Sequence, residues 1–205
     1  MFCILLAAYP LSRTSKQFPK RSIFMWILVF CMLFNGGTVP WYITMKGYGL
    51  VDSIWGLVLG MGLNAYNLIL AVNFFKNLPA ELEEAALVDG AEPWKCLVLI
   101  FIPLAKPVIA TIALFTIVQY WNEFFQGMVL STNQSNYPLQ TYIQQLVVTY
   151  DFSTMNVEQI AQVQKLNKQS LDAAKIVVAM IPVLAVYPFL QKYFVSGITL
   201  GSIKG

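Results

Sequence analysis

The chain has 205 residues, 58% hydrophobic and only 11% charged, with a net charge of +3 and a mean hydropathy of +0.63. A soluble domain carries about 25% charged residues, so a soluble globule, a disordered tail and a basic nucleic-acid binder are all excluded. An integral membrane protein remains.

Missing residue types narrow the chemistry. The sequence contains no His, which removes His general bases, His-ligated zinc and Ser-His-Asp triads. No GxxxxGK[ST] motif cradles a nucleotide. No catalytic residue, metal site or cofactor is therefore expected. Cys3, Cys31 and Cys96 form no CxxC pair and read as buried small hydrophobes.

In chain order, Met1 to Pro10 is apolar but about half the length of about 20 residues that a crossing helix needs. It reads as the end of a span whose beginning is missing, so the chain is expected to be truncated at its N-terminus. Four longer stretches qualify as spans: Ile23 to Ile43, with its dense apolar part ending near Phe34, then Ile54 to Phe75, Val108 to Leu130 and Ala173 to Phe194. In the second, Gly56 and Gly60 make a small-xxx-small face, for packing within the chain or against another subunit. Pro182 and Pro188 should kink the fourth.

Orientation follows from the basic residues. Arg13, Lys16, Lys20, Arg21, Lys76, Lys95, Lys106, Lys192 and Lys204 fall on one side, against Lys46, Lys165, Lys168 and Lys175 on the other. Cytoplasmic loops hold Lys and Arg in excess. Nine against four therefore predicts a cytoplasmic C-terminus and cytoplasmic loops at 11–22 and 76–106.

The stretch Asn77 to Pro103 is too polar to be a span. Pro79 suits a first helical turn, Glu81, Glu83 and Glu84 complement its dipole, and Asp89-Gly90 supplies a stop. A helix of about ten residues results, too short to cross. Ala85, Ala86 and Gly90 leave one region without bulk, as a docking element would need; an interfacial helix packed on its own bundle would look the same.

A second polar group lies inside the third span. Glu123 stands with Gln119, Asn122 and Gln126 among Tyr120, Trp121, Phe124 and Phe125. A carboxylate near the bilayer centre costs about 2.5–3.5 kcal/mol, so such groups face polar cavities. Amides, a carboxylate and flat aromatic faces suit a sugar pathway, although anchoring at the outer interface would also explain Glu123. Asn64 and Asn67 are further pathway candidates, with helix–helix hydrogen bonding as the alternative. The loop from Ser131 to Asp172 holds Gln140, Gln144, Gln145, Gln159, Gln162, Gln164 and Gln169, and either meets an outside partner or forms a solvated cap.

Glu84-Ala85-Ala86, three residues, Gly90, nine residues, Ile100, one residue and Ile102-Pro103 form an extended pattern. It resembles the cytoplasmic loop signature of permease subunits of binding-protein-dependent ABC importers, departing from it only in Ile102 for Leu. Leu87 to Ala91 and Trp121-Asn122-Glu123-Phe124 resemble the sugar permeases of that family, and Ala8-Tyr9-Pro10-Leu11-Ser12-Arg13 resembles the cytoplasmic end of its second helix. Tyr137 to Gln140, Tyr187-Pro188-Phe189 and Gly201 to Gly205 are similar to the branch importing complex oligosaccharides and uronate-type fragments.

The resemblance implies an all-α integral membrane protein, a polytopic bundle of the maltose-permease-like type I importer fold. About four complete spans and a partial N-terminal one are present of the usual six. Residues 1–205 would be a single permease domain, with 77–103 its coupling loop. Two permeases, expected as a heterodimer, would enclose one pathway above two ATPase subunits, fed by an extracytoplasmic solute-binding protein in a bacterial cytoplasmic membrane. Membrane lipid would surround the bundle, and no nucleic acid is involved. Glu84, Ala85, Ala86, Asp89, Gly90, Ile100 and Pro103 would couple to the ATPase, while Asn64, Asn67, Trp121, Asn122 and Glu123 would line the pathway. The competing readings are a permease of this fold for an amino acid or polyamine, a membrane enzyme using Glu123 and Asp151, and a non-functional fragment.

Overall fold

The computed structural model describes residues 1–148, together with 156, 170, 173, 174, 176–182, 184, 185, 187 and 188. The described residues are helical, with no strand among them. No single described helix is long and apolar enough to cross a membrane, but three consecutive pairs joined through a break have the length and composition of a broken span or a re-entrant loop. The continuous spans expected from the sequence are thus interrupted.

Local chemistry explains the interruptions. Helix α1 is Phe2–Ser12, α2 is Arg21–Leu33 and α3 is Thr38–Gly47. Between α2 and α3 the Asn35 side chain accepts from the Gly37 amide at 2.9 Å, and Gly37 has φ +85. This local side-chain-to-backbone turn competes with helix continuation. The second stretch divides into α4, Ile54–Gly60, and α5, Ala65–Lys76, with Gly62 at φ +57 between them. Further on lie α6 (Ala80–Val88), α7 (Pro93–Cys96), a π-helical turn at Leu97–Phe101, α8 (Ile102–Leu104), α9 (Lys106–Trp121), α10 (Phe125–Leu130) and α11 (Leu139–Val148). The third stretch therefore breaks at Asn122 to Phe124.

The described chain forms two compact units. The first contains Met1–Gly37 and Met61–Thr116. Its core joins Ile4, Leu5, Ala8 and Tyr9 of α1 to Leu68, Ala71, Val72 and Phe75 of α5, with Cys96, Leu97, Phe101, Val108 and Ile112 completing it. Ala8 and Ala71 are fully buried, as expected where small side chains let two helix backbones approach. Phe101 stands edge-on to both Tyr9 and Phe75, with ring centroids at 5.1 and 5.4 Å. At Ala105 the α7–α8 stretch turns through 80° into α9.

The second unit contains Thr38–Gly60 and the described part of Ile117–Phe189. Here α10 packs on α4 and α11. A Cβ at Gly60 would overlap the Gln126 side chain, and one at Gly56 the Leu50 carbonyl. The small-residue face is thus used for packing within the chain. The last carbonyls of α4 have no intrahelical partner. Val58 receives the Tyr120 hydroxyl at 2.7 Å and Gly60 the Trp41 indole N–H at 3.3 Å. Such substitution lets a helix end in apolar surroundings.

Two expectations are corrected. Cys96 is buried, but Cys3 and Cys31 are exposed on this chain. The loop from Ser131 onward contains α11, held by the Thr141 hydroxyl donating to the Phe124 carbonyl at 2.8 Å. Gln159, Gln162, Gln164, Gln169, Asp151, Lys165, Lys168, Lys175, Lys192, Lys204, Phe189 and 201–205 lie outside the described residues. Pro182 and Pro188 both lie in helical backbone.

Candidate functional site

The Glu-Ala-Ala segment forms α6 as its residues dictate. Pro79 precedes the first turn and Glu81 and Glu83 occupy it, where negative charge meets unsatisfied amides. The helix ends in a full Schellman turn. The Gly90 amide donates to the Leu87 carbonyl at 3.1 Å and the Ala91 amide to the Ala86 carbonyl at 2.9 Å, with Gly90 at φ +79.

The helix is two-faced. Glu84, Ala85, Leu87, Val88, Asp89 and Gly90 are exposed, and Val88 retains 87% of its accessible surface. Ala86 is half-buried against the core of the first unit. Glu83 is buried, accepting from the Tyr9 hydroxyl at 2.8 Å and ion-paired with Arg13. The sequence reading missed this contact, because Tyr9 lies 74 positions earlier. The available signal was that Glu83 and Ala86, three apart, share a helix face.

Ile100 and Pro103 occupy a separate element. Ile100 is half-buried in the π turn, packed on the core, and Pro103 is exposed in α8. Proline offers no N–H and its ring crowds the preceding turn. A π turn, closed by the Ile102 amide on the Leu97 carbonyl, widens the backbone just ahead of it. The seven signature residues therefore divide between an exposed helix and the turn rooting it.

The pathway candidates fall in two places. In the first unit, Asn64 caps α5 by accepting from the Asn67 amide at 3.1 Å. The Asn67 side chain is 1% exposed and donates to the Thr116 hydroxyl at 3.4 Å. In the second unit, Trp121, Asn122 and Glu123 meet at the break between α9 and α10. Asn122 is exposed and Glu123 half-buried. Glu123 accepts from the Gln126 amide at 2.7 Å, satisfying a first-turn N–H of α10. The Trp121 indole donates to the Ala179 carbonyl at 2.7 Å. Gln126 is buried, and its side-chain oxygen has no hydrogen-bond partner.

The second unit also holds a cleft of about 450 Å³ lined by Asp52, Leu57, Ser131, Ser135, Asn136 and Tyr137. Asp52 clamps the far side of the α10 exit, receiving the Thr132 amide and hydroxyl at 2.6 Å each. Those two donors hold its carboxyl pKa below the ordinary carboxylate value. Among the described residues no cluster of ligands could hold a metal ion.

Protein LplC of Bacillus subtilis is 40% identical over 205 residues, covering all of this chain and 68% of LplC. The polygalacturonan/rhamnogalacturonan transport system permease protein YtcP of the same organism is also 40% identical, over all of this chain and 71% of YtcP. A solved chain of a bacterial ABC transporter involved in the import of the acidic polysaccharide alginate matches with a TM-score of 0.82 and 37% identity. That match covers 94% of this chain and 68% of the solved one. The helical fold is that of a type I ABC importer permease, a transport fold integral to the cytoplasmic membrane. With residues 6–200 matching its pattern, the chain belongs to the family of binding-protein-dependent transport system inner membrane components.

Proposed function

We propose that this chain passes a sugar or oligosaccharide, of the uronate-containing kind, through a pathway shared with a second and different permease subunit. A solute-binding protein delivers the cargo outside, and ATP-binding-cassette ATPases dock on α6 inside, with the C-terminus on their side. The single observation that carries this reading is the two-faced α6. Glu84, Ala85 and Val88 are free of this chain's own packing, while Glu83 holds the opposite face. Asp89 and Gly90 end the docking helix, Ile100 roots the loop in the bundle, and Pro103 shapes the turn that follows it. The names of YtcP and of the alginate importer support an acidic carbohydrate.

Asn122, Glu123 and Trp121 supply the polar and aromatic groups of the pathway, at a break where backbone and side chains are not committed to one continuous helix. In the first unit, Asn64 and Asn67 at the start of α5 are the other pathway residues of this reading. The whole of 1–205 acts as one permease domain in this reading.

Affinity purification of the chain from native membrane should bring down a second permease and a P-loop ATPase. Glu84→Lys should lose the ATPase while keeping the permease. Labelled oligogalacturonide should enter reconstituted vesicles in an ATP-dependent way. Uptake of a labelled amino acid instead would replace the carbohydrate assignment, and undiminished ATPase capture by Glu84→Lys would remove α6 from the contact.

A further inference from the structure

Glu83 differs from its acidic neighbours. Glu81 and Glu84 are exposed, whereas Glu83 is buried and carries the one ion pair found among the described residues. Its partners are not on α6. Tyr9 Oη donates to Oε1 at 2.8 Å, and the Arg13 guanidinium pairs with Oε2, leaving the two side chains 13% and 10% exposed. Arg13 is itself fixed from several sides. Its guanidinium carbon lies 4.6 Å from the ring centroids of both Tyr9 and Phe101. Its Nη2 donates to the Ser12 hydroxyl at 2.9 Å and its Nε to the Tyr9 carbonyl at 3.3 Å. Phe101 then stands edge-on against Phe75 of α5.

These contacts form an unbroken line from α6 through the end of α1 and Phe101 of the π turn to α5. Ala86 of α6 and Ala91 just beyond it also pack on the core, a contact that is non-directional. A buried charge pair is different, since separating it strands an uncompensated charge. Under load it moves as a unit. We propose that Tyr9, Arg13 and Glu83 are the joint through which displacement of α6 becomes displacement of α1 and α5. They are positioning residues, set behind the docking face. The proposal rests on the reading of α6 as the ATPase contact.

The test uses the assembled importer, with Cys3, Cys31 and Cys96 replaced and a reporter cysteine introduced by Tyr66→Cys at the far end of α5. ATPase co-purification reads docking. The change in maleimide labelling rate on adding a non-hydrolysable ATP analogue reads transmitted motion. Arg13→Gln and Glu83→Gln should keep the ATPase yet reduce that change by about five-fold, and the charge reversal Arg13→Glu with Glu83→Arg should restore much of it. Should the single variants not accumulate, Tyr9→Phe decides alone, with a reduction of about two-fold expected. A full labelling response in these variants overturns the joint, as does an α5 without response when the joint is intact. Loss of the ATPase from these variants also overturns it, by making the pair part of the docking face. The reading of α6 fails separately, through undiminished capture by Glu84→Lys.

Discussion

Gly90 shows how a residue can be required for two reasons that substitution alone confuses. At φ +79 it occupies the left-handed region, where an L side chain costs about 1–2 kcal/mol. A Cβ there would meet no atom of the described residues within 4 Å, its chain neighbours aside. The intramolecular cost of a Cβ is therefore conformational. Asn tolerates the left-handed region better than a β-branched residue. Gly90→Asn should leave α6 intact in the isolated permease, while Gly90→Val should loosen its C-terminal turn. If a partner surface closes on this position, both variants lose ATPase capture. Capture retained by Gly90→Asn and lost by Gly90→Val would instead assign Gly90 to the turn alone.

At the scale of elements, the helix breaks are where the sequence was unevenly legible. The stop after Val88 could be read because Asp-Gly follows a run of helix formers, and the break after Leu33 has Asn-Gly-Gly chemistry. The break before Phe125 carries no Gly or Pro. Glu123 drew attention as an acid inside an apolar run, which is a sound signal of function in lipid. Its hydrogen bond to the Gln126 amide caps the start of α10, a role that hydropathy cannot reveal. The Asp52–Thr132 clamp was equally hidden, because it joins loops 80 positions apart.

That clamp has a pH signature. The Thr132 hydroxyl and amide favour the ionised carboxylate of Asp52 and lower its pKa. Its stabilising contribution is complete above the unfolded value of about 3.9 and is lost as pH falls through the lower folded value. Carboxyl-¹³C aspartate in nanodiscs, assigned through Asp52→Asn, should show Asp52 titrating below that ordinary value. Thr132→Val should bring it back up. A wild-type Asp52 titrating at or above the ordinary value would mean the two donors do not hold it in the membrane.

At the scale of the whole molecule, the charge count predicts a cytoplasmic loop at 76–106, which holds α6, and an outside loop after Leu130. Lys76, Lys95 and Lys106 flank α6 in sequence and Arg13, Lys16, Lys20 and Arg21 fall in the loop before α2, whereas the stretch from Val108 to Ser135 has no basic residue. Membrane insertion retains Lys and Arg on the cytoplasmic side, and the exposed, polar surface of α6 is compatible with water there. Two exposed positions test this prediction: Ala85 on α6, and Ser135 beyond α10. In a background lacking the three native cysteines, Ala85→Cys should react with a membrane-impermeant maleimide only in inverted vesicles. Ser135→Cys should react only in intact cells or spheroplasts. The reverse pattern would place α6 beyond the reach of any cytoplasmic ATPase. Labelling of both positions from one side would show that the chain between them, bent by 80° at Ala105 and broken again at Asn122 to Phe124, returns to the face it entered.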